Sequence, residues 1–338
     1  MSFFMRLARP GDLAALYEMA KLTGGGFTNL PPDRKSLVAK LDRSAEALNC
    51  TEKGDDLFVL VLENAGTGEV RGTCQIFSEV GRRWPFYSYR MGTLTQSSQE
   101  LGRTFRADML TLCTDLEGAS EVGGLFLHPG ERAGGLGMLL ARSRYLFIRQ
   151  HRARFADRVL AELRGVIDEA GGSPFWDGLA GRFFGMSFQE ADEFNAIHGN
   201  QFIADLMPKH PIYTAMLTEA ARHVIGVPHP NGRAAMRMLE AEGFRHDSYI
   251  DIFDGGPTML ADTDRIRTLA DARELRVDRI ASPGDVGERF LLAAGQLGDF
   301  RSIFADILVD DVGAVTISAI DAAVLGVQQG DALVGVAR

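Results

Sequence analysis

Positive charge is scarce in this chain: 36 Lys and Arg stand against 45 Asp and Glu, a formal net charge of −9. Nucleic acid and anionic membranes are recognised by clustered cations, so neither is expected as a partner, and an anionic ligand would need a local exception. Cysteine is scarcer still. Cys50, Cys74 and Cys113 are odd in number, widely spaced and without a C-x-x-C pair, which suggests neither a disulfide framework nor a zinc site. No metal and no prosthetic group is expected. No apolar run reaches the ~20 residues that cross a bilayer, and the start MSFFMRLARPGD has neither the apolar core nor the small-residue cleavage site of a secretory signal. A cytoplasmic protein is the expectation. Internal repeats and low-complexity segments are also missing.

What is present is apolar mass. With 46% hydrophobic residues over 338 positions, the chain can bury a sizeable core, and its length predicts one large domain plus something smaller. FFMRLA (3–8) reads as a strand, and LAALYEMAKL, after Pro10-Gly11-Asp12, reads as a helix. The loop TGGGFTNLPPD follows. Segments 56–64 and 70–77 flank the turn AGTGE and read as a hairpin. FYSYRMGTLT and ADMLTLCTDL are two candidate strands. GGLFLHP is a buried strand, MLLARSRYLFIRQ a helix, and DRVLAELRGVID (157–168) a further strand.

From 169 to 227 glycine, proline and aromatic residues are dense, which predicts short helices and loops forming a cover rather than a second sheet. RAAMRMLEAEGF is then a helix ending at Gly243, and SYIDIFDGG a strand. Beyond Pro257 short strands come at close spacing, the pattern of a separate small β unit, barrel-like.

One stretch asks for a ligand. Between the strand GGLFLHP and the helix that follows lies Arg132-Ala133-Gly134-Gly135-Leu136-Gly137, fitting Arg/Gln-x-x-Gly-x-Gly/Ala. Successive backbone N–H groups can turn toward one point there, forming an anion-binding nest at the positive end of the helix. A dinucleotide fold would place its glycines after the first strand and follow them with a ribose-binding acid, and neither holds here.

The order strand, helix, hairpin, strand, glycine turn, helix, strand, helix, Gly-Phe, strand resembles the GCN5-related N-acetyltransferase (GNAT) fold, whose glycine turn holds the pyrophosphate of coenzyme A. Longer blocks narrow the resemblance: LTGGGFTNLPPD, RGVIDEAGGSPFW, RFFGMSF, FIADLMPKHPIY, PHPNGRAAMRMLEAEGF and YIDIFDGGPT are similar to the arginine N-succinyltransferase family. The likeness runs through most of residues 4–260 and beyond 262 keeps only the ending LGVQQGDALVGVAR.

That resemblance implies an α+β, GNAT-like fold with a mixed, mainly antiparallel sheet flanked by helices. Residues 1–260 would form the acyltransferase domain, with insertions at about 79–120 and 169–227, and 261–338 the small β-rich unit. It implies transfer of succinyl from succinyl-CoA to the α-amino group of L-arginine, the first step of arginine breakdown by succinylation. His229, in VPHPNG, matches the family's proton donor, and Leu125, in GGLFLHP, a residue touching succinyl-CoA.

The residues support both on their own terms. A histidine ionises near working pH and suits proton handling, and Pro228 and Pro230 stiffen the loop that carries His229. Strand residues Leu125 and Leu127 bury their side chains while their backbone can face pantetheine and the thioester oxygen. Arg132, Gly134, Gly135 and Gly137 are the expected pyrophosphate contacts. His210, in PKHPIY, is the rival histidine. Glu162, Asp168, Glu169, Arg90, Arg164 and Lys209 are charges that the substrate's own charges could use, none singled out by pattern. Two other readings stay open: a subunit of a heteromeric arginine/ornithine succinyltransferase, and a non-catalytic acyl-CoA sensor. Either a homo- or a hetero-oligomer fits the sequence.

Overall fold

The computed structural model describes residues 2–23, 29–50, 54–132, 134–199, 201–282 and 287–338. β1 (Phe3–Leu7), α1 (Leu13–Lys21) and α2 (Arg34–Ala47) open the chain. β2 (Leu57–Asn64), β3 (Val70–Phe77), β4 (Ser88–Ser98), β5 (Arg103–Cys113) and β6 (Ser120–Leu127) follow, then α3 (Leu136–Gln150) and β7 (Arg158–Glu162). The cover holds α4 (Pro174–Gly178), α5 (Gly181–Phe184), α6 (Phe188–His198), α7 (Gln201–Leu206), β8 (Ile212–Tyr213) and α8 (Glu219–Val224). α9 (Arg233–Ala241), β9 (Arg245–Ile250) and β10 (Pro257–Asp262) complete the larger unit. α10 (Arg267–Asp271), β11 (Arg273–Ala281), β12 (Glu288–Ala294), β13 (Arg301–Val309), β14 (Ala314–Ser318), α11 (Ala319–Leu325) and β15 (Ala332–Ala337) come last.

The strands form one sheet in the order β12-β15-β11-β14-β13-β1-β2-β3-β6-β7-β10-β9-β4-β5-β8. β12 pairs with β13 as well, so the last five strands close into a small ring that hangs on the main sheet through β1 and β13. Among the described residues only β6–β7 and β11–β14 pair in parallel. The architecture is the α+β, mainly antiparallel GNAT-like one that the element order implies.

Burial explains the layers. β2 is apolar and buried on both faces because α1 and α2 cover one side and α3 the other. α1 and α2 bury Leu16, Met19, Leu37 and Leu41 at helical spacing against Val61 and Phe126. α3 is buried all round from Leu139 to Ile148, held between the sheet and the barrel, where Leu291, Ala293 and Val336 join its core. Rings such as Phe58 and Phe147, wholly buried at 4.9 Å between centroids, contribute about 2–3 kcal/mol each.

Three expectations need correction. The strand read over 157–168 ends at Glu162: Leu163 N–H turns to Pro257 O, and Gly165 packs so tightly on Asp254 that a Cβ there would lie 2.3 Å from its carbonyl oxygen. The strand read in SYIDIFDGG begins earlier, at Arg245, and stops at Ile250, where Asp251 Oδ1 accepts from the N–H groups of Phe253 and Asp254 and folds the chain back. Helix α2 was not anticipated, although Asp33 caps it by accepting from Ser36 N–H at 2.7 Å. The two inserted segments extend the sheet edge as β4–β5, which pairs with β9, and pack α4–α8 around Tyr89, Phe175 and Trp176.

Candidate active site

The site is a gap in the sheet. β6 and β7 run parallel but pair only at Ser120–Val159 and Glu121–Leu160, so beyond Glu121 the facing flank of β6 has no ladder partner in β7. A bulge opens it further. Gln75 faces Gly123 and Thr73 faces Phe126, leaving one extra residue on β6, and Gly124 takes φ +59°, a left-handed conformation that glycine accepts at little cost. Leu125 therefore sits on the bulge with its backbone turned out of the ladder and its side chain packed on the main core.

β6 delivers the chain to the glycine turn. Gly134 and Gly135 have φ +70° and +84°, and Gly135 is the N-cap of α3 with no side chain capping the helix. The Met138 and Leu139 N–H groups donate to Gly135 O, which leaves the N–H groups of Leu136 and Gly137 at the helix start for an anion. Gly137 has ordinary φ, and a Cβ there would meet only Leu127 Cδ2 at 4.0 Å; its value is open space in front of the helix end. Arg132 is exposed at the mouth of the turn, and Ala133 lies outside the described residues. Leu125, Leu127, Arg132, Gly134, Gly135 and Gly137, the residues expected from the sequence to contact coenzyme A, lie in order from β6 to the start of α3.

The opposite wall carries His229. The stretch beyond β7 offers Arg164 O to the N–H of His229 at 2.8 Å, which fixes the histidine beside the open gap at the head of the turn leading into α9. His229 Nδ1 accepts from Asn231 N–H at 3.2 Å. That bond assigns the ring's proton to Nε2, leaving Nε2–H as a donor. Partial burial, and then the charge of Arg164, hold the imidazole below its usual pKa.

Behind this wall carboxylates from separate segments converge. Glu121 and Asp254 are 8% and 7% exposed; Glu162 at the end of β7 and Asp251 after β9 are half-buried. Burial first, and then the charges of Asp251, Glu121 and Asp254, raise the Glu162 carboxyl well above its ordinary range. Asp254 is raised by burial and by Asp251. Glu121 is pushed up to about 7 by burial, with Lys40 pulling the other way, and Asp192 of α6 to about 6, again mainly by burial. Fully buried Thr258 pairs across the strands with Glu162, and its Oγ1 has no hydrogen-bond partner; Arg164 Nε also lacks one. Carboxylates that raise one another's pKa in this way form an acidic cluster that a cation would stabilise. Among the described residues no group of His, Cys, Asp or Glu could hold a metal ion, and no helix is long and apolar enough to cross a membrane.

Comparison with known proteins decides the family. Residues 3–268 match the family described as arginine N-succinyltransferase beta subunit, and 273–337 its C-terminal domain. The chain belongs to the arginine N-succinyltransferase family. An arginine N-succinyltransferase of Enterobacter sp. (strain 638) is 45% identical over 304 residues, 88% of each chain. One from Salmonella newport (strain SL254) is 46% identical over 286 residues, 83% of each chain. The solved arginine/ornithine succinyltransferase subunit AI of Pseudomonas aeruginosa superposes with a TM-score of 0.91 at 33% identity, covering 99% of this chain and 98% of that one.

Within this arginine N-succinyltransferase scaffold, the other charges and histidines sort themselves. Glu162 ends β7, and Arg164 lies just beyond it with its carbonyl on His229. Asp168 instead caps a turn, accepting from Ala170 and Gly172 N–H; Glu169 and Lys209 are exposed; Arg90 pairs with Asp115 at 3.0 Å on the exposed hairpin. His210 precedes β8 at the far edge of the sheet, away from β6. His128 Nδ1 lies 3.0 Å from Arg71 Nη2 and accepts from Gly130 N–H, holding the end of β6. Glu121, Asp251, Asp254 and Asp192 were missed: no local spacing links them, and only the buried position of Glu121 within an apolar strand offers a signal.

Proposed function

We propose that the chain transfers the succinyl group of succinyl-CoA to the α-amino group of L-arginine, giving N2-succinyl-L-arginine and free coenzyme A. The observation that carries this reading is the β6–β7 gap itself, with a phosphate-ready turn at one end, an acidic cluster behind the other wall and His229 beside the opening. The pyrophosphate lies against 132–137. Leu125 and Leu127 offer backbone groups to pantetheine and an N–H to the thioester oxygen, where one such donor is worth ~3 kcal/mol in the transition state.

His229 assists the departure of the sulfur. The unprotonated α-amine attacks the thioester carbon and the carbonyl becomes an oxyanion; the attacking nitrogen, then cationic, gives up one proton to solvent, and the C–S bond breaks as the oxyanion collapses, releasing coenzyme A as a thiolate that takes up a proton from solvent. His229, neutral, keeps its Nε2–H and hydrogen-bonds the departing sulfur, which stabilises the negative charge gathering there. The acidic cluster takes the cationic end of arginine, with Glu162 its central carboxylate: a guanidinium would relieve the mutual repulsion that raises the pKa of these groups. We read 1–260 as the catalytic domain and 261–338 as a small barrel sharing its sheet.

A second reading is favoured by one observation, the likeness to the Pseudomonas aeruginosa subunit: this chain would work as one subunit of a heteromer with a wider range of amino acids. The test of both is a steady-state thiol-release assay with succinyl-CoA and a panel of amines including arginine and ornithine. Release with arginine well above ornithine supports the first reading, and comparable release the second. No release with any amine overturns both.

A further inference from the structure

The barrel does more than support α3 from the side. Ser143 Oγ of α3 lies 3.1 Å from Ser302 Oγ of β13, and the two elements share a core. β15 ends at Ala337, next to the start of β12, and Arg338 follows it. The Arg338 N–H donates to Arg289 O at 2.9 Å, and its guanidinium lies 5.0 Å from the centre of the Phe304 ring. From that anchor the side chain reaches the glycine turn: a Cβ built on Gly135 would lie 2.6 Å from Arg338 Nη2.

This placement sets like charge against like. The helix end is positive, its exposed groups are N–H donors, and a guanidinium carries donors only. Setting the two against each other is unfavourable unless an anion stands between them. Arg289, which shares the Phe304 ring, has Asp306 at 3.0 Å as its counter-ion. Arg338 has no such counter-ion among the described residues and is exposed. In a chain of net charge −9, a cation held without a partner beside a backbone nest supplies the local exception that an anionic ligand needs.

We propose that Arg338 is a coenzyme A ligand, its guanidinium closing over the pyrophosphate from the barrel side while the N–H groups of residues 134–137 hold it from the α3 side. The inference rests on the reading of the glycine turn given above, and it gives the C-terminal barrel a direct part in cofactor binding. Arginine suits the task because its planar fork can grip two phosphate oxygens at once, and Phe304 pre-orients it.

The test compares Arg338→Gln, Arg338→Lys and Gly137→Val in the full chain. It measures the succinyl-CoA KM at saturating arginine, the Kd of coenzyme A by calorimetry, the salt dependence of both, and Tm. Arg338→Gln should raise KM and Kd about tenfold with kcat near wild type, as expected for losing one charge-assisted contact, and should flatten the salt dependence; Arg338→Lys should recover part of the loss. Unchanged KM, Kd and salt dependence in Arg338→Gln, with Gly137→Val impaired in KM, would overturn the role of Arg338 and leave the glycine turn standing. No effect in either variant would overturn the glycine turn as well. A fall in Tm and kcat with KM and salt dependence kept would make Arg338 a structural residue and equally sink the inference.

Discussion

The two ends of the β6–β7 gap are built from different materials. At the proposed coenzyme end the available groups are backbone N–H groups of one stretch of chain, and the side chains there are small or absent: Gly134, Gly135 and Gly137. At the proposed arginine end the available groups are side chains delivered by β6, β7, α6 and the turn after β9, namely Glu121, Glu162, Asp192, Asp251 and Asp254. A phosphate is the same in every acyl-CoA, so a fixed backbone cradle suffices. An amino-acid substrate must be told from its relatives, and that takes side chains placed by the whole fold. His229 stands where the two meet.

Removing His229's ring should have the largest effect and should leave both ends intact. His229→Gln is expected to lower kcat by ~10²- to 10⁴-fold while changing the KM of neither substrate much, because the Arg164 O contact uses the backbone. Parallel losses in both KM values with kcat preserved would make His229 a positioning residue of the walls and not a partner of the departing sulfur.

The same comparison explains what could be read from sequence. The glycine turn was legible because it is a local object: strand, glycines and helix are contiguous, and the φ values of Gly134 and Gly135 follow from residues that permit them. His229 was singled out in the sequence through its two flanking prolines and the family likeness. The acidic end was not, since Glu162 and Asp254 meet only after β7 and β10 pair and Gly165 seats against the Asp254 backbone. Arg338 was invisible for the same reason, lying in a different unit from the turn it touches. Strand limits failed where tertiary contacts overrode local propensity, as at Glu162, where the chain leaves β7 despite the apolar run continuing.

Charge removal at the acidic end should come next in size. Glu162→Gln is expected to raise the KM for arginine ~10- to 100-fold, the loss of a hydrogen bond to a charged group, with the succinyl-CoA KM kept within a small factor. The fold should not suffer. Because the Glu162 pKa is raised in the folded state by burial and by Asp251, Glu121 and Asp254, the contribution of this group to stability is fully present below the unfolded carboxyl pKa and is lost as pH rises through the folded one. The glutamine lacks that loss, so its Tm should hold up better than wild type on the alkaline side. An unchanged arginine KM would move the substrate cation elsewhere and dissolve the contrast between the two ends.

The smallest effect tests whether the ends communicate through Arg164. This residue offers its carbonyl to His229 and its charge to the space between His229, Asp192 and Asp254. Burial is the larger cause of the lowered His229 pKa, and the Arg164 cation the second. At neutral pH the ring is therefore uncharged, and kcat should fall as pH drops through that lowered pKa, where the added proton displaces the Asn231 N–H from Nδ1. Arg164→Gln keeps the backbone contact and removes only the charge, so protonation becomes easier and the acid limb of the kcat profile should move upward, toward the ordinary histidine value of ~6.5 without reaching it, since burial remains. In the double variant with His229→Gln the limb should vanish. If Arg164→Gln leaves the limb in place, or if the limb survives the loss of the ring, then the titrating group is one of the carboxylates and His229 works at a charge state that Arg164 does not set.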